Sequence, residues 1–231
     1  MKADEFILES KIVIMKNGPY IVTGNVPIEE KIIVCENSNY SYTRGRVLPQ
    51  AETYALCRCG QSGNMPFCDG FHAFIGFDGT ETASKEKFMN NAIQYEGSDF
   101  VLHDQENLCA FARFCHRSTG DVWSLTDDSK DPVCKVEAIK AACDCPAGRL
   151  VITDKVSEKE IEPEYEKSIV VIQDPENQCG GPIWVRGGIP IESYDGSLYE
   201  IRNRVTLCRC GQSKNKPFCD AAHISTEFHD L

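Results

Sequence analysis

The stretch Cys57-Arg-Cys59-Gly-Gln-Ser62-Gly-Asn-Met-Pro66-Phe67-Cys68-Asp69-Gly-Phe-His72 returns near the other end of the chain. There it reads Cys208-Arg-Cys210-Gly-Gln-Ser213-Lys-Asn-Lys-Pro217-Phe218-Cys219-Asp220-Ala-Ala-His223. Both copies obey one formula: C-x-C, eight residues, a third Cys, three residues, then His. Thiolates and neutral imidazole together suit soft or borderline metals. Whatever fold the chain adopts must bring each set of four donors together, twice.

Three Cys and one His make an acceptable tetrahedral zinc site, but zinc knuckles favour C-x2-4-C. A single intervening residue sends successive side chains to different sides of an extended backbone. That arrangement suits neighbouring ligands along the edge of a binuclear cluster, although it also admits zinc. Pro66 and Pro217 fix φ and stiffen the loop ahead of the third Cys. Asp69 and Asp220 are candidate caps for a short helix carrying His72 or His223. Two roles are open to Ser62 and Ser213, a bond to cluster sulfur or closure of a turn. Phe67 and Phe218 read first as core packing, then as shields against water.

Both stretches resemble the CDGSH iron–sulfur family, whose signature runs C-x-C-x2-[Ser/Thr]-x3-P-x-C-D-G-x-H. Ser62, Pro66, Phe67 and Asp69 fit it, as do Ser213, Pro217, Phe218 and Asp220; Ala221 departs from it where the family has Gly. The resemblance implies two [2Fe–2S] clusters, one on Cys57, Cys59, Cys68 and His72 and one on Cys208, Cys210, Cys219 and His223. It also implies a pairing of the two copies within one chain, of the kind single-copy members achieve by dimerising with exchanged strands.

The duplication extends beyond the donors. Pro182-Ile-Trp-Val-Arg-Gly-Gly-Ile-Pro-Ile-Glu192 echoes Pro19-Tyr-Ile-Val-Thr-Gly-Asn-Val-Pro-Ile-Glu29 in register. Short strands are expected at 11–16, 20–23, 31–34 and 53–56, and again at 168–172 and 199–207. A two-strand ribbon with a metal loop buries little on its own, so the copies are expected to pair as an intramolecular pseudo-dimer about a local two-fold.

The interval between the copies differs in kind. Residues 94–97 and 100–103 suggest a hairpin, and Asp131-Pro132 opens a helical run over 133–142. Cys109-x5-Cys115, followed later by Cys145-Pro-x-Gly, resembles divergent single-cluster ferredoxin domains. Ala112 stands where the full pattern has a ligand. Cys109, Cys115 and Cys145 are therefore the expected donors of a [3Fe–4S] or [4Fe–4S] cluster, with Cys143, Cys134 or His116 as candidate fourth ligand; the alternative is a packing domain without a cluster. Cys35 and Cys179 fall outside every motif and read as plain thiols.

The expected architecture is thus α+β and β-rich: a CDGSH-type module over 1–82, a small ferredoxin-like α+β domain over 83–155, and a second module over 156–231. Thirteen Cys in 231 residues is too dilute for a disulfide scaffold, and no run of apolar residues reads as a signal or a membrane span. Thiols serving metal point to a reducing, cytoplasmic setting. A net charge of −11 argues against nucleic acid and favours a soluble redox or cluster-accepting partner with a basic docking surface. No nucleophile–base set or nucleotide loop signals a substrate site. Electron transfer is the expected activity, with cluster storage or delivery, redox or pH sensing, and structural zinc binding as alternatives.

Overall fold

The computed structural model describes residues 9–230. Residues 1–8, part of the stretch read above as lacking a signal-type run, lie outside it. The first third contains strands β1 (Lys11–Ile14), β2 (Tyr20–Thr23), β3 (Ile28–Glu36), β4 (Asn39–Arg44) and β5 (Tyr54–Leu56), then the short helix α1 (Phe71–Phe74). The middle holds α2 (Phe88–Asn91), β6 (Ile93–Glu96), β7 (Phe100–Asp104), β8 (His116–Arg117), β9 (Gly120–Asp121), α3 (Val122–Asp127), α4 (Pro132–Cys143), β10 (Leu150–Asp154) and β11 (Glu160–Ile161). The last third adds β12 (Ser168–Asp174), β13 (Cys179–Arg186), β14 (Ile191–Glu192), β15 (Arg204–Leu207) and α5 (Ala222–Ser225).

Neither outer third closes a sheet alone. One sheet runs β14-β1-β2-β5 and another β15-β13-β12-β3-β4, so each takes strands from both ends of the chain. The exchange is reciprocal: β1 pairs in parallel with β14, and β12 in parallel with β3. Alternation in β1 and β2 buries Ile12, Ile14, Tyr20 and Val22 while their neighbours stay half-exposed. Those four pack with Leu56, Ile169, Val171, Ile183, Val185 and Leu207 in one core shared by the halves. The Tyr20 hydroxyl donates across it to the Cys208 carbonyl at 2.8 Å.

The expected strands appear, with shifted ends. β3 is longer than 31–34, and the strand ahead of the second metal loop begins at Arg204 rather than Tyr199. β4 was not expected, because its residues alternate Tyr with polar side chains in a segment that reads as a loop. It is an edge strand held to β3 over its whole length.

β12 is buried at every position because both of its faces are covered. Ile169 and Val171 face the shared core, while Val170 and Ile172 pack with Trp184, Ala112 and Phe114. The loop carrying Ala112 and Phe114 belongs to the middle of the chain and lies across the back of the five-stranded sheet. The rest of the middle forms its own sheet, β11-β10-β7-β6, with the expected hairpin as β6 and β7. α3 and α4 close it over Phe100, Leu102, Val122, Leu125, Ala138 and Ile152. Asp131 caps α4 as its sequence suggests, accepting from the backbone N–H of Val133 and Cys134.

Candidate metal centres

In each outer module the strand β5 or β15 delivers the C-x-C pair, and a loop brings the third Cys back beside it. The Cys57 and Cys68 backbones are locked through the bonds Cys57 N–H to Pro66 O and Cys68 N–H to Ala55 O, both 2.9 Å. The second copy repeats them as Cys208 N–H to Pro217 O and Cys219 N–H to Thr206 O. Ser62 Oγ donates to Phe67 O at 2.6 Å and accepts from Asn64 N–H, and Ser213 makes the same pair of bonds. Both serines therefore close turns. Phe67 and Phe218 pack edge-on against Tyr54 and Tyr199, as core residues do.

The Asp residues act one step earlier than a cap. Gly70 and Ala221 occupy the N-cap positions of α1 and α5, both left-handed, at φ 91° and 68°. Asp69 instead accepts from Phe71 N–H and reaches back to Gly63 N–H, tying the helix start to the loop. Asp220 does likewise with Ala222 and Lys214.

The four donors of each module fall into two pairs. Cys57 Sγ lies 3.6 Å from Cys59 Sγ, and Cys68 Sγ lies 3.3 Å from His72 Nδ1. The second copy gives 3.6 Å for Cys208 with Cys210 and 3.4 Å for Cys219 with His223. Two thiolates bound to one tetrahedral ion at about 2.3 Å stand about 3.8 Å apart, and a thiolate with an imidazole nitrogen about 3.6 Å. Each pair is thus spaced to chelate one ion. Among the described residues, no three such donors converge on a single ion position. Paired donors of this kind suit iron held by thiolate and imidazole.

Burial and the contacts between thiols set the protonation of the donors. Burial pushes the Cys59 thiol up to about 11 and raises Cys68 as well. The contact with Cys210 lowers Cys208 to about 6, and that same contact, with burial, raises Cys210. Burial lowers His223 to about 4, so its ring is neutral and fit to ligate. Loading metal must therefore release thiol protons.

In the middle domain Cys109 ends a 3-10 turn over Glu106–Leu108, and Cys145 follows α4. Between Cys109 and Cys115 the backbone turns left-handed at Phe111 and Arg113, which folds the loop back on itself. Burial pushes Cys115 up to about 12, and the nearby Cys145 and Cys109 thiols add to that rise. Cys109 and Cys145 thus lie in the neighbourhood of Cys115. Of the other candidates, Cys143 Sγ turns to the Ile161 carbonyl at 3.5 Å, and exposed His116 leans on Trp123. Cys134 sits in the first turn of α4 and packs on the same core as Cys115 and Cys145.

Two further observations bear on a cluster there. The Tyr42 hydroxyl is buried with no hydrogen-bond partner among the described residues, and burial with the neighbouring Cys145 raises its phenol well above the ordinary value. Arg149, paired with Asp104 at 2.6 Å, borders Cys109. An orphaned donor near the Cys145 thiol is what a sulfide acceptor would satisfy, so the residues present fit such a group.

Sequence reading missed the residue that fixes this site, Arg204 in β15. Its side chain is 1% exposed. Its guanidinium donates to the carbonyls of Ala142 (2.6 Å), Cys143 (3.2 Å), Cys145 (2.7 Å) and Leu150 (3.0 Å), and pairs with Glu162 at 2.6 Å. A cation is thereby set on the C-terminal end of α4, where unpaired carbonyls collect. A buried Arg on a strand leaves no periodicity signal; only the fold reveals it.

The family described as iron-binding zinc finger CDGSH type matches residues 17–73 and 180–224, and that described as divergent 4Fe-4S mono-cluster matches residues 95–155. No curated protein and no solved structure matches the chain. Among the described residues, no helix is long and apolar enough to cross a membrane. The paired thiol and imidazole donors, their duplication and these matches agree: the chain is a tandem CDGSH-type iron-binding protein with a divergent 4Fe-4S mono-cluster domain between its two copies.

Proposed function

We propose that the protein transfers single electrons through three iron–sulfur clusters. Two are [2Fe–2S] units, one on Cys57, Cys59, Cys68 and His72 and one on Cys208, Cys210, Cys219 and His223. The third, [3Fe–4S] or a [4Fe–4S] with one iron free of protein ligand, is held by Cys109, Cys115 and Cys145. The observation that carries the reading is the division of each outer donor set into two chelating pairs. When bound, such clusters accept and release one electron at little structural cost.

The chain's own groups orient and insulate. Met15, Gly18 and Gly79 carbonyls hold the Arg58 guanidinium, and Gly181 and Ile172 carbonyls with the Asp230 carboxylate hold that of Arg209, so the residue inside each C-x-C is anchored. Cys68 and Cys219 are also approached by the N–H groups of Gly70 and Ala221. Reciprocal strand exchange supports an internal pseudo-two-fold, with modules near 1–82 and 156–231 around the middle domain. A soluble redox protein with a basic docking surface remains the matching partner for a chain of net charge −11.

Cluster delivery is the second reading, favoured by the partial exposure of Cys68 and His72. Iron and sulfide quantitation with EPR of anaerobically purified protein tests the main reading. The expected result is two binuclear signals and one cubane-type signal; colourless protein carrying one zinc per module overturns it.

A further inference from the structure

The two repeats hold the same donors in different surroundings. His223 is 3% exposed and Cys219 2%, whereas His72 and Cys68 are only partly covered. Around α1 the side chains of Phe71, Phe74 and Ile75 are exposed, Phe74 by 89%, and a Cβ added at Gly70 would touch nothing within 4 Å. The equivalent positions of α5 carry Ala222, Ser225 and Thr226.

What covers the second site is the middle domain. Cys219 shares one buried cluster with Ala110, Ala147 and Cys145, the residues beside or at the central donors. Asn215 Nδ2 donates to Asn107 O at 3.0 Å, and Phe218 packs against Leu108 and Phe88. On its other side the second loop meets the first: a Cβ on Gly60 would lie 2.5 Å from the Cys210 carbonyl oxygen, and one on Gly211 2.7 Å from that of Cys59. Met65 also packs on Cys208 and Cys210.

From this we infer that the three sites are connected in series: first module, second module, central site. Cys219 is the ligand facing the central thiols, and the His72 end is the one open to a partner. The inference rests on the electron-transfer reading above. One electron from a reduced one-electron carrier protein at the His72 end leaves that carrier oxidised by one. Cys109, Cys115 and Cys145 would hold the cluster that takes up that electron, with no bond made or broken.

The test is EPR power saturation on the intact, fully loaded chain. Iron and sulfide content is measured first, so that missing clusters count against the electron-transfer reading and not against the series. With the central site poised in a paramagnetic level, dipolar relaxation falls steeply with distance. One binuclear signal should relax faster than the other, and that signal should be the one shifted by His223→Cys and untouched by His72→Cys. If His223→Cys fails to load, His72→Cys decides alone, because the fast-relaxing signal must then keep its g values. Faster relaxation of the His72 signal, of both equally, or of neither overturns the order.

Discussion

Replacing Arg204 with Met removes a charge that four backbone carbonyls and one carboxylate share. The hydrocarbon stem is roughly preserved, so little packing volume is lost. What remains is the C-terminal end of α4 without its donors and Glu162 without its partner. Breaking a buried pair by removing one member costs about 3–5 kcal/mol, because the other charge stays behind. Bonds from a charged donor are worth about 1.5–3 kcal/mol each, and partial relaxation toward water keeps the sum well below simple addition. We expect a loss of about 4 kcal/mol, or about a thousandfold in the folding equilibrium. Urea unfolding of the apoprotein measures it, and EPR locates it. The central signal should be lost or broadened while the two binuclear signals survive, since Arg204 holds Cys145 and touches neither outer donor set. A change below about 1 kcal/mol with all signals intact would refute the view that Arg204 positions the central site.

Ala221→Gly relieves a left-handed residue at φ 68° and should stabilise the protein by about 1 kcal/mol in thermal or urea unfolding; no gain would mean the loop already absorbs the strain. Tyr42→Phe deletes the orphaned donor beside Cys145 and should lower the central midpoint potential in redox titration, whereas an unchanged potential places the hydroxyl away from sulfur. Cys145→Ser should abolish the central signal and Cys143→Ser should spare it, read by EPR and iron content. Glu162 and Asp174, partly desolvated but bonded to Arg204 and Arg113, titrate below their ordinary values of 4.5 and 3.8. Their stabilisation is complete above the unfolded values and is lost as pH falls through the lowered folded ones. Glu162→Gln should therefore flatten the acid limb of the stability–pH curve, and an unaltered limb would count against the pair's contribution.

Much of the site was legible because ligand chemistry is local. C-x-C, the third Cys and the His lie within one loop, and the strands feeding that loop alternate plainly enough to be read. The Pro-Ile-Glu echo also indicated that the two copies would combine. Three things were not legible. β4 carries Tyr40 and Tyr42 among Ser, Thr and Asn, so its pattern is that of a loop until β3 supplies a partner. Arg204 looks like a solvent-facing charge on a strand, and only the approach of α4 from another part of the chain turns it into a clamp. The unequal burial of His72 and His223 is likewise invisible, since the motifs are nearly the same and what covers one of them is 70 or more residues away in sequence.

Reciprocal pairing has a consequence during synthesis. β1 waits for Ile191 and Glu192, and β3 for Ile169 and its neighbours, so the ribosome has made most of the chain before either early strand gains its parallel neighbour. Until then a nascent chain exposes open strand edges and reactive sulfhydryls together, the combination most prone to sticking to other copies. The contiguous middle domain can complete its own sheet during that delay and shield Cys109, Cys115 and Cys145 while the ends are still unmatched.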